Sequence, residues 1–210
     1  MESDRPWVDT VFMVGENLSK GGRRREQILT AAVELFGEVG YRGTSLRDIA
    51  QRVGITHPGL LYHFHSKQEL LSAVLARRDD SDAITFGLSD QSEGGRDYVQ
   101  RVLALAEHNS TTPGMIELFA TLSAESTDPD HPAHDFFKQR YDKVVASFQT
   151  MFDQLAAEGQ LRDGIDTDGL GVLFTALMDG LQVQWLYSPD AVKVPDLLRT
   201  HLNAYLKQPV

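Results

Sequence analysis

The stretch TSLRDIAQRVGITHPGLLYHF, residues 44–64, decides the fold of the N-terminal part of this chain. Within it, apolar residues recur at helical spacing over positions 46–53 and stop at Gly54, a residue type that commonly ends helices. A second short helix is predicted over positions 57–64, because Thr56 can cap its start. Two short helices joined by a three-residue turn that contains glycine are typical of a helix-turn-helix motif.

Local signals extend the helical pattern on both sides of this motif. An apolar stripe over positions 28–39 predicts a preceding helix that ends at Gly40. Ser45 and Asp48 have the spacing of a capping box, so the first helix of the motif should begin there. Ser66 is placed to cap a fourth helix directly after the motif.

The rest of the chain is also predicted to be helical, and no run alternates with the two-residue period of a strand. The apolar stripes that define these helices are Tyr98–Leu105, Met115–Leu122, Phe137–Leu155, Leu170–Trp185 and Val194–Tyr205. The sequence therefore predicts an all-α protein of about nine helices.

Charge is distributed unevenly along the 210 residues, whose net charge is −10. Positions 19–78 hold ten basic and five acidic residues, whereas positions 79–210 hold nine basic and 21 acidic residues. A basic segment followed by an acidic one suggests that the chain combines two functions, although an excess of five basic residues in 60 also arises by chance. The absence of cysteine excludes disulfides, thiolate metal sites and a cysteine nucleophile.

No part of the sequence favours membrane insertion or secretion. The most apolar stretch, positions 170–187, is interrupted by Asp179, Gln182 and Gln184. The N-terminus lacks a basic region followed by an apolar run, which a secretory signal requires. A cytoplasmic protein is expected.

The motif supplies candidate contacts to double-stranded DNA, because its second helix is the one that enters the major groove in such proteins. The residues at and after the start of that helix are His57, Pro58, Gly59, Tyr62 and His63. Cations and hydroxyls at nearby helix starts suit the phosphates, and an arginine run precedes the first helix and can follow the backbone or enter a minor groove. These residues are Arg23, Arg24, Arg25, Thr44, Arg47 and Lys67. Ordinary packing of short helices is the alternative explanation.

The combined spacing of several short pieces is more specific than the motif alone. The pieces are Ala31-Ala32, Leu35-Phe36, Gly40-Tyr41, Thr44 to Leu46, Ile49-Ala50, Val53 to Thr56, Leu60 to Phe64 and Ser66-Lys67. With them, the segment over residues 24–75 closely resembles the N-terminal domain of the TetR/AcrR family of bacterial repressors. The resemblance implies DNA contacts at Thr44, Arg47, Thr56, His57, Gly59, Tyr62, His63 and Lys67.

The resemblance also implies a domain organisation and a homodimer. We expect an N-terminal extension over residues 1–18, a three-helix helix-turn-helix DNA-binding domain over 19–66, and a helical effector-binding and dimerisation domain over 67–210. The helix over 170–185 is apolar on more than one face, so it needs two partners, unless it is a fully buried central helix. The predicted dimer residues are Leu181, Trp185, Leu198, Leu202 and Tyr205. A two-fold dimer should read a nearly palindromic operator.

A small-molecule effector is expected in the acidic part, whose helices are rich in aromatic residues and methionine. Ligand pockets are mostly apolar with a few placed polar groups. The candidate lining residues are Tyr98, His108, Met115, Phe119, Phe137, Tyr141, Phe148, Met178 and Gln182. Such a ligand should be partly apolar. Core packing is the simpler explanation for any one of these residues.

The functional hypothesis is therefore a one-component transcriptional repressor that a ligand releases from its operator. A ligand-dependent activator, an all-α enzyme and a DNA-organising protein without sequence preference remain alternatives. No phosphate-binding glycine loop, Gly-x-Ser-x-Gly elbow or His-Glu-x-x-His motif is present, so an enzyme is not expected and no cofactor is predicted.

Two further features carry weaker signals. His131 and His134 have a spacing that binds metal when helical, but two prolines place them in a predicted loop, so no metal site is expected. Residues 1–18 contain Trp7 and Phe12, which would either belong to a flexible tail or dock on a neighbouring surface.

Overall fold

The computed structural model describes residues 19–91 and 94–210. The described residues form nine α-helices without a β-strand, which confirms the prediction of an all-α chain. The helices are α1 (Lys20–Gly43), α2 (Leu46–Val53), α3 (His57–Leu61), α4 (Lys67–Thr85), α5 (Gly95–Asn109), α6 (Pro113–Glu125), α7 (His134–Ala157), α8 (Leu170–Tyr187) and α9 (Val194–Tyr205). The predicted extension over residues 1–18 lies outside the described residues.

The chain divides into two compact units. The first comprises residues 19–81 and Gly114–His134, and the second comprises Asp82–Pro113 and Asp135–Val210. This division differs from the single predicted boundary after residue 66, because α6 packs with the first helices of the chain. The chain consequently passes between the units three times.

The first unit is built on a closely packed apolar core. Its fully buried members include Ile28, Phe36, Ile49, Leu60 and Phe64, each at most 1% exposed. Burying side chains of this size stabilises a fold by about 1.5–3 kcal/mol each. These residues come from α1, α2, α3 and the turn after α3, so the core holds the helix-turn-helix motif against α1.

The second unit has an aromatic core where α7, α8 and α9 meet. The Phe174 ring packs edge-on against Phe148 and Phe152, with ring centroids 4.9 and 5.9 Å apart. Gly171 lets α8 approach α7 closely, because a Cβ atom at this position would lie only 2.5 Å from the Val145 carbonyl oxygen. Any larger residue at position 171 would therefore force the two helices apart.

Candidate functional sites

The start of α2 is fixed by the capping box that the sequence predicts. The Ser45 hydroxyl oxygen accepts a hydrogen bond from the Asp48 N–H at 3.2 Å, and the Asp48 carboxylate accepts one from the Ser45 N–H at 2.9 Å. The Ser45 hydroxyl also donates to this carboxylate, and these hydrogen bonds hold the pKa of Asp48 below its ordinary value. Gly54 ends α2 in the left-handed conformation, with φ of 71°.

The next helix, α3, has one buried and one open face. The Thr56 hydroxyl oxygen caps it by accepting a hydrogen bond from the Gly59 N–H at 3.2 Å, while Leu60 on the other face is fully buried. Tyr62, at the C-terminal cap, is 83% exposed. Pro58 is also exposed, and His57, Gly59 and His63 are half-buried. The predicted base-reading residues therefore share accessible positions along one short helix and its cap.

The predicted phosphate-binding cations occupy three helices around this motif. Arg47 is exposed in the first turn of α2, and Lys67 is half-buried at the start of α4. Residues 23–25 lie within α1, where the Arg25 guanidinium sits 4.8 Å above the Phe64 ring. Because the three arginines are helical, they do not form an extended arm, and their position favours backbone contacts over minor-groove entry.

Thr44 is placed differently from the prediction. This residue is only 2% exposed. Its hydroxyl lies within hydrogen-bond distance of two carbonyl oxygens and can donate to either, that of Leu35 at 3.1 Å or that of Gly40 at 2.9 Å. We therefore withdraw Thr44 as a DNA contact, because a buried hydroxyl that bonds the end of α1 cannot reach a phosphate at the same time.

Part of the basic charge in this region serves the fold instead, which the sequence did not reveal. Arg52 of α2 forms ion pairs with Glu34 and Glu38 of α1, at 3.1 and 3.0 Å. Arg77 of α4 forms an ion pair with Glu26 of α1. These arginines tie α2 and α4 to α1, and their charge is largely neutralised within the protomer.

The predicted ligand residues are divided between the two units. Met115 and Phe119 belong to the first unit and are buried. In the second unit, Tyr98, Phe137, Phe148 and Met178 are buried, and His108, Tyr141 and Gln182 are half-buried.

A polar pair lies among the candidates in the second unit. The Tyr141 hydroxyl donates to the Asp179 carboxylate at 2.8 Å, and burial raises the pKa of Asp179. Tyr141 also lines an open groove of about 850 Å³, together with Val145, Gln149 and Val172. Of the predicted ligand residues, Tyr141 alone is among the residues that line this groove.

The predicted dimer residues are packed inside the protomer. Leu181, Trp185, Leu198 and Leu202 are at most 9% exposed, and Tyr205 is half-buried. The apolar stripes that contain these residues are buried in the core of the second unit, so these side chains are poorly placed to contact a second subunit.

The other apolar face of α8 remains open. It runs through Val172, Ala176, Gly180, Val183 and Tyr187, all exposed, and Leu197 of α9 is also exposed. These residues replace the buried ones as our dimer candidates.

Neither a metal cluster nor a membrane span is found in the described part of the chain. His131 is buried in the loop between α6 and α7, and no three metal-binding side chains converge among the described residues. None of the described helices combines the length and the hydropathy needed to cross a bilayer.

Comparisons with known proteins agree with this architecture. Residues 28–74 match a family model described as bacterial regulatory proteins, tetR family. Residues 99–208, just over half of the chain, match a second one described as BetI-type transcriptional repressor, C-terminal.

Three individual proteins illustrate the similarity. The transcriptional repressor KstR2 of Rhodococcus jostii is 27% identical over 203 residues, covering 89% of this chain and 91% of the relative. The transcriptional activator FasR of Mycolicibacterium smegmatis is 39% identical over 84 residues, covering 40% of this chain and 37% of the relative. A Saccharomonospora viridis regulator solved with choline is similar in fold, with a TM-score of 0.70, 24% identity, and coverage of 89% of this chain and 99% of that one.

Proposed function

The chain belongs to the TetR family of bacterial regulatory proteins and is a DNA-binding transcriptional regulator, and from this premise we propose that it is a homodimeric repressor released from its operator by a small ligand. The observation that carries the proposal is the open face of α3. Tyr62 and Pro58 are exposed on this face and His57 is half-buried, while the cation Arg47 is exposed in the first turn of α2 and Lys67 is half-buried at the start of α4.

The residues of this face divide the work of DNA binding. Pro58 and Gly59 carry little side chain, so the α3 backbone can approach the base edges closely, and the proline ring suits a thymine methyl group. Tyr62 and His63 can donate hydrogen bonds to phosphates. Arg47 and Lys67 neutralise phosphate charge, which supplies affinity without sequence information.

The dimer places two such faces on one operator. We assign the contact between subunits to the open apolar face of α8. An exposed apolar stripe marks an interaction site, and in a two-fold dimer the same stripe of the second subunit can pack against it and exclude water. The two α3 helices would then meet half-sites separated by roughly 34–36 Å, or a multiple of that distance, on a nearly palindromic operator.

Ligand release requires two conformations of the dimer. A ligand shifts such an equilibrium only by its differential affinity, so it must bind the form with the non-fitting helix separation more tightly. The aromatic helices of the second unit and the Tyr141–Asp179 pair offer apolar surface with a placed polar group. We therefore expect a partly apolar effector.

The test measures binding to the DNA upstream of the protein's own gene against a scrambled duplex of equal length, at physiological salt. A regulator should prefer one duplex by roughly 10³-fold or more. Tyr62→Ala should weaken that binding, whereas Gln100→Ala, an exposed change in α5, should not. Equal affinity for both duplexes and for scanned upstream regions throughout the genome would refute a sequence-specific regulator.

An activator is the second candidate, since the FasR similarity covers a segment of 84 residues in a protein named as an activator. Repressor and activator share the same DNA interface and differ in the sign of the transcriptional effect. Deleting the gene and measuring the transcript of the adjoining gene distinguishes them, because the transcript rises for a repressor and falls for an activator.

A further inference from the structure

Lys67 is held by an aromatic ring instead of extending freely from the start of α4. Its ammonium nitrogen lies 4.2 Å from the centroid of the Tyr41 ring, a distance typical of a cation–π contact. Tyr41 lies beyond the break in α1 at Gly40, where φ is 75°. Burial lowers the pKa of Lys67, and burial raises the pKa of Tyr41, which keeps the Tyr41 hydroxyl neutral at pH 7.

The Tyr41 ring is itself fixed by two buried rings. Phe36 contacts it from α1, with ring centroids 5.5 Å apart, and is 1% exposed. His131 contacts it edge-on from the loop between α6 and α7, with centroids 5.9 Å apart and ring planes at 64°. The position of Tyr41 therefore depends on a loop that is 90 residues distant in sequence.

Backbone hydrogen bonds orient the His131 ring. The ring Nδ1 accepts a hydrogen bond from the Ala133 backbone N–H at 3.2 Å, and the backbone N–H of His131 donates to the Asp128 carbonyl oxygen at 3.0 Å. Its Nε2 is buried without a hydrogen-bond partner among the described residues, and the nearest carboxylate oxygen, of Glu125, is 3.8 Å away. A buried polar nitrogen without a partner is unfavourable, so Nε2 does not explain why a histidine stands here, and the ring contact with Tyr41 is the contribution that we test.

We propose that Tyr41 and His131 are positioning residues that hold Lys67 ready to contact an operator phosphate, so that the loop between α6 and α7 sets one phosphate contact in each half-site. The inference rests on the proposed operator binding. A lysine side chain loses much rotamer freedom when it is fixed, and a side chain ordered before binding avoids that loss on the DNA.

A double-mutant cycle on the full-length protein tests the proposal, with the preferred upstream duplex as probe. Tyr41→Leu should weaken binding roughly two- to fivefold per half-site, and therefore roughly 4- to 25-fold for a dimer on two half-sites. It should also make the dependence of log K on log salt less steep, in the direction of Lys67→Ala. In the Lys67→Ala background, Tyr41→Leu should have little further effect.

Ring-retaining variants separate positioning from general packing. Tyr41→Phe and His131→Phe keep the aromatic contacts and should bind within about twofold of the wild type. His131→Ala removes the edge contact and should lower affinity in the same direction as Tyr41→Leu, which supplies a second test if the latter variant does not fold. Melting temperatures check that each variant is folded.

The possible failures are distinguishable. Equal costs of Tyr41→Leu with and without Lys67 would show a structural role and overturn the proposal. If Lys67→Ala keeps full affinity and salt dependence while Tyr62→Ala weakens binding, the positioning role fails and the proposed function stands. If the wild type itself shows no preference for any duplex, the proposed function fails and the positioning role fails with it.

Discussion

Replacing Thr44 with valine tests the structural role that the protomer gives this residue. Valine matches threonine in shape and replaces only the hydroxyl. That hydroxyl can donate a hydrogen bond to the Leu35 or the Gly40 carbonyl oxygen. A neutral hydrogen bond contributes about 0.5–1.5 kcal/mol, and a buried acceptor left without a partner costs about 1–3 kcal/mol. One hydroxyl hydrogen serves the two carbonyls, so we expect a loss of about 1–2 kcal/mol in the free energy of unfolding.

This loss should be visible in a thermal melt and not in DNA affinity. For a chain of this length, 1 kcal/mol lowers Tm by about 2–4 °C, so Thr44→Val should melt about 2–8 °C below the wild type. Operator binding by fluorescence anisotropy at 25 °C, where both proteins are folded, should change less than about threefold, well under the tenfold that 1.4 kcal/mol of lost DNA contact gives. Thr44→Ser retains the hydroxyl and is the matched control for stability.

The opposite pattern would refute the reasoning. If Thr44→Val melts like the wild type but binds its operator tenfold more weakly, the hydroxyl contacts DNA, and its hydrogen bonds to the α1 carbonyls do not persist in the complex. The original assignment of Thr44 as a DNA contact would then be restored.

Three other substitutions probe the interface, the dimer and a buried acid. Arg47→Ala should make the salt dependence of operator binding less steep by about 1.8 for two half-sites, while Gln51→Ala, exposed on the same helix, should leave it unchanged. Val183→Arg should raise the dimer dissociation constant at least about tenfold in sedimentation experiments because it puts a charge on the apolar face of α8, and an unchanged constant, as expected for Gln100→Arg, would reject that face. Burial raises the pKa of Asp179, so the folded state is favoured while this carboxyl is protonated. This contribution to the free energy of unfolding is present at low pH and is lost as pH rises through the raised pKa. Asp179→Asn should therefore be more stable than the wild type at pH 7 in urea titrations, with no advantage below the ordinary pKa of about 3.9.

Local features of this fold were predictable because the residues that fix them are neighbours in sequence. The capping box of Ser45 and Asp48 and the cap at Thr56 occur where the sequence places them. Gly54 ends its helix with positive φ, as the pattern predicts. Such signals depend on hydrogen bonds over three or four residues, so no tertiary information is needed to find them.

The assignment of helix faces was beyond the sequence, for a physical reason. Periodicity identifies residues that share a face, but not whether that face meets the core or a second subunit. The stripe through Leu181 and Trp185 is buried in the protomer, whereas Val183, off that stripe, is exposed. The weaker stripe is thus the open one, because the stronger stripe is what the protomer itself needs to bury.

Thr44 and α6 show the same limit at other scales. Thr44 precedes a helix start, where a phosphate contact is plausible, but the break at Gly40 turns the end of α1 back toward its hydroxyl. The packing of α6 with the first unit depends on contacts more than 70 residues apart, such as that of Gly37, where a Cβ atom would lie 3.5 Å from the Gly114 carbonyl oxygen. No local pattern encodes such a long-range contact.

The segregation of charge explains how a protein of net charge −10 can bind DNA, once the internal ion pairs are taken into account. The pairs of Arg52 and Arg77 with α1 glutamates remove two of the basic charges from those available to phosphates. Affinity then depends on a small number of accessible cations, and the loss of any one is a large fraction of the electrostatic term. The placement of a single lysine, Lys67 on the Tyr41 ring, therefore matters for the whole interface. His131, which contacts the same ring, lies three residues before His134, where the chain leaves the first unit for the second.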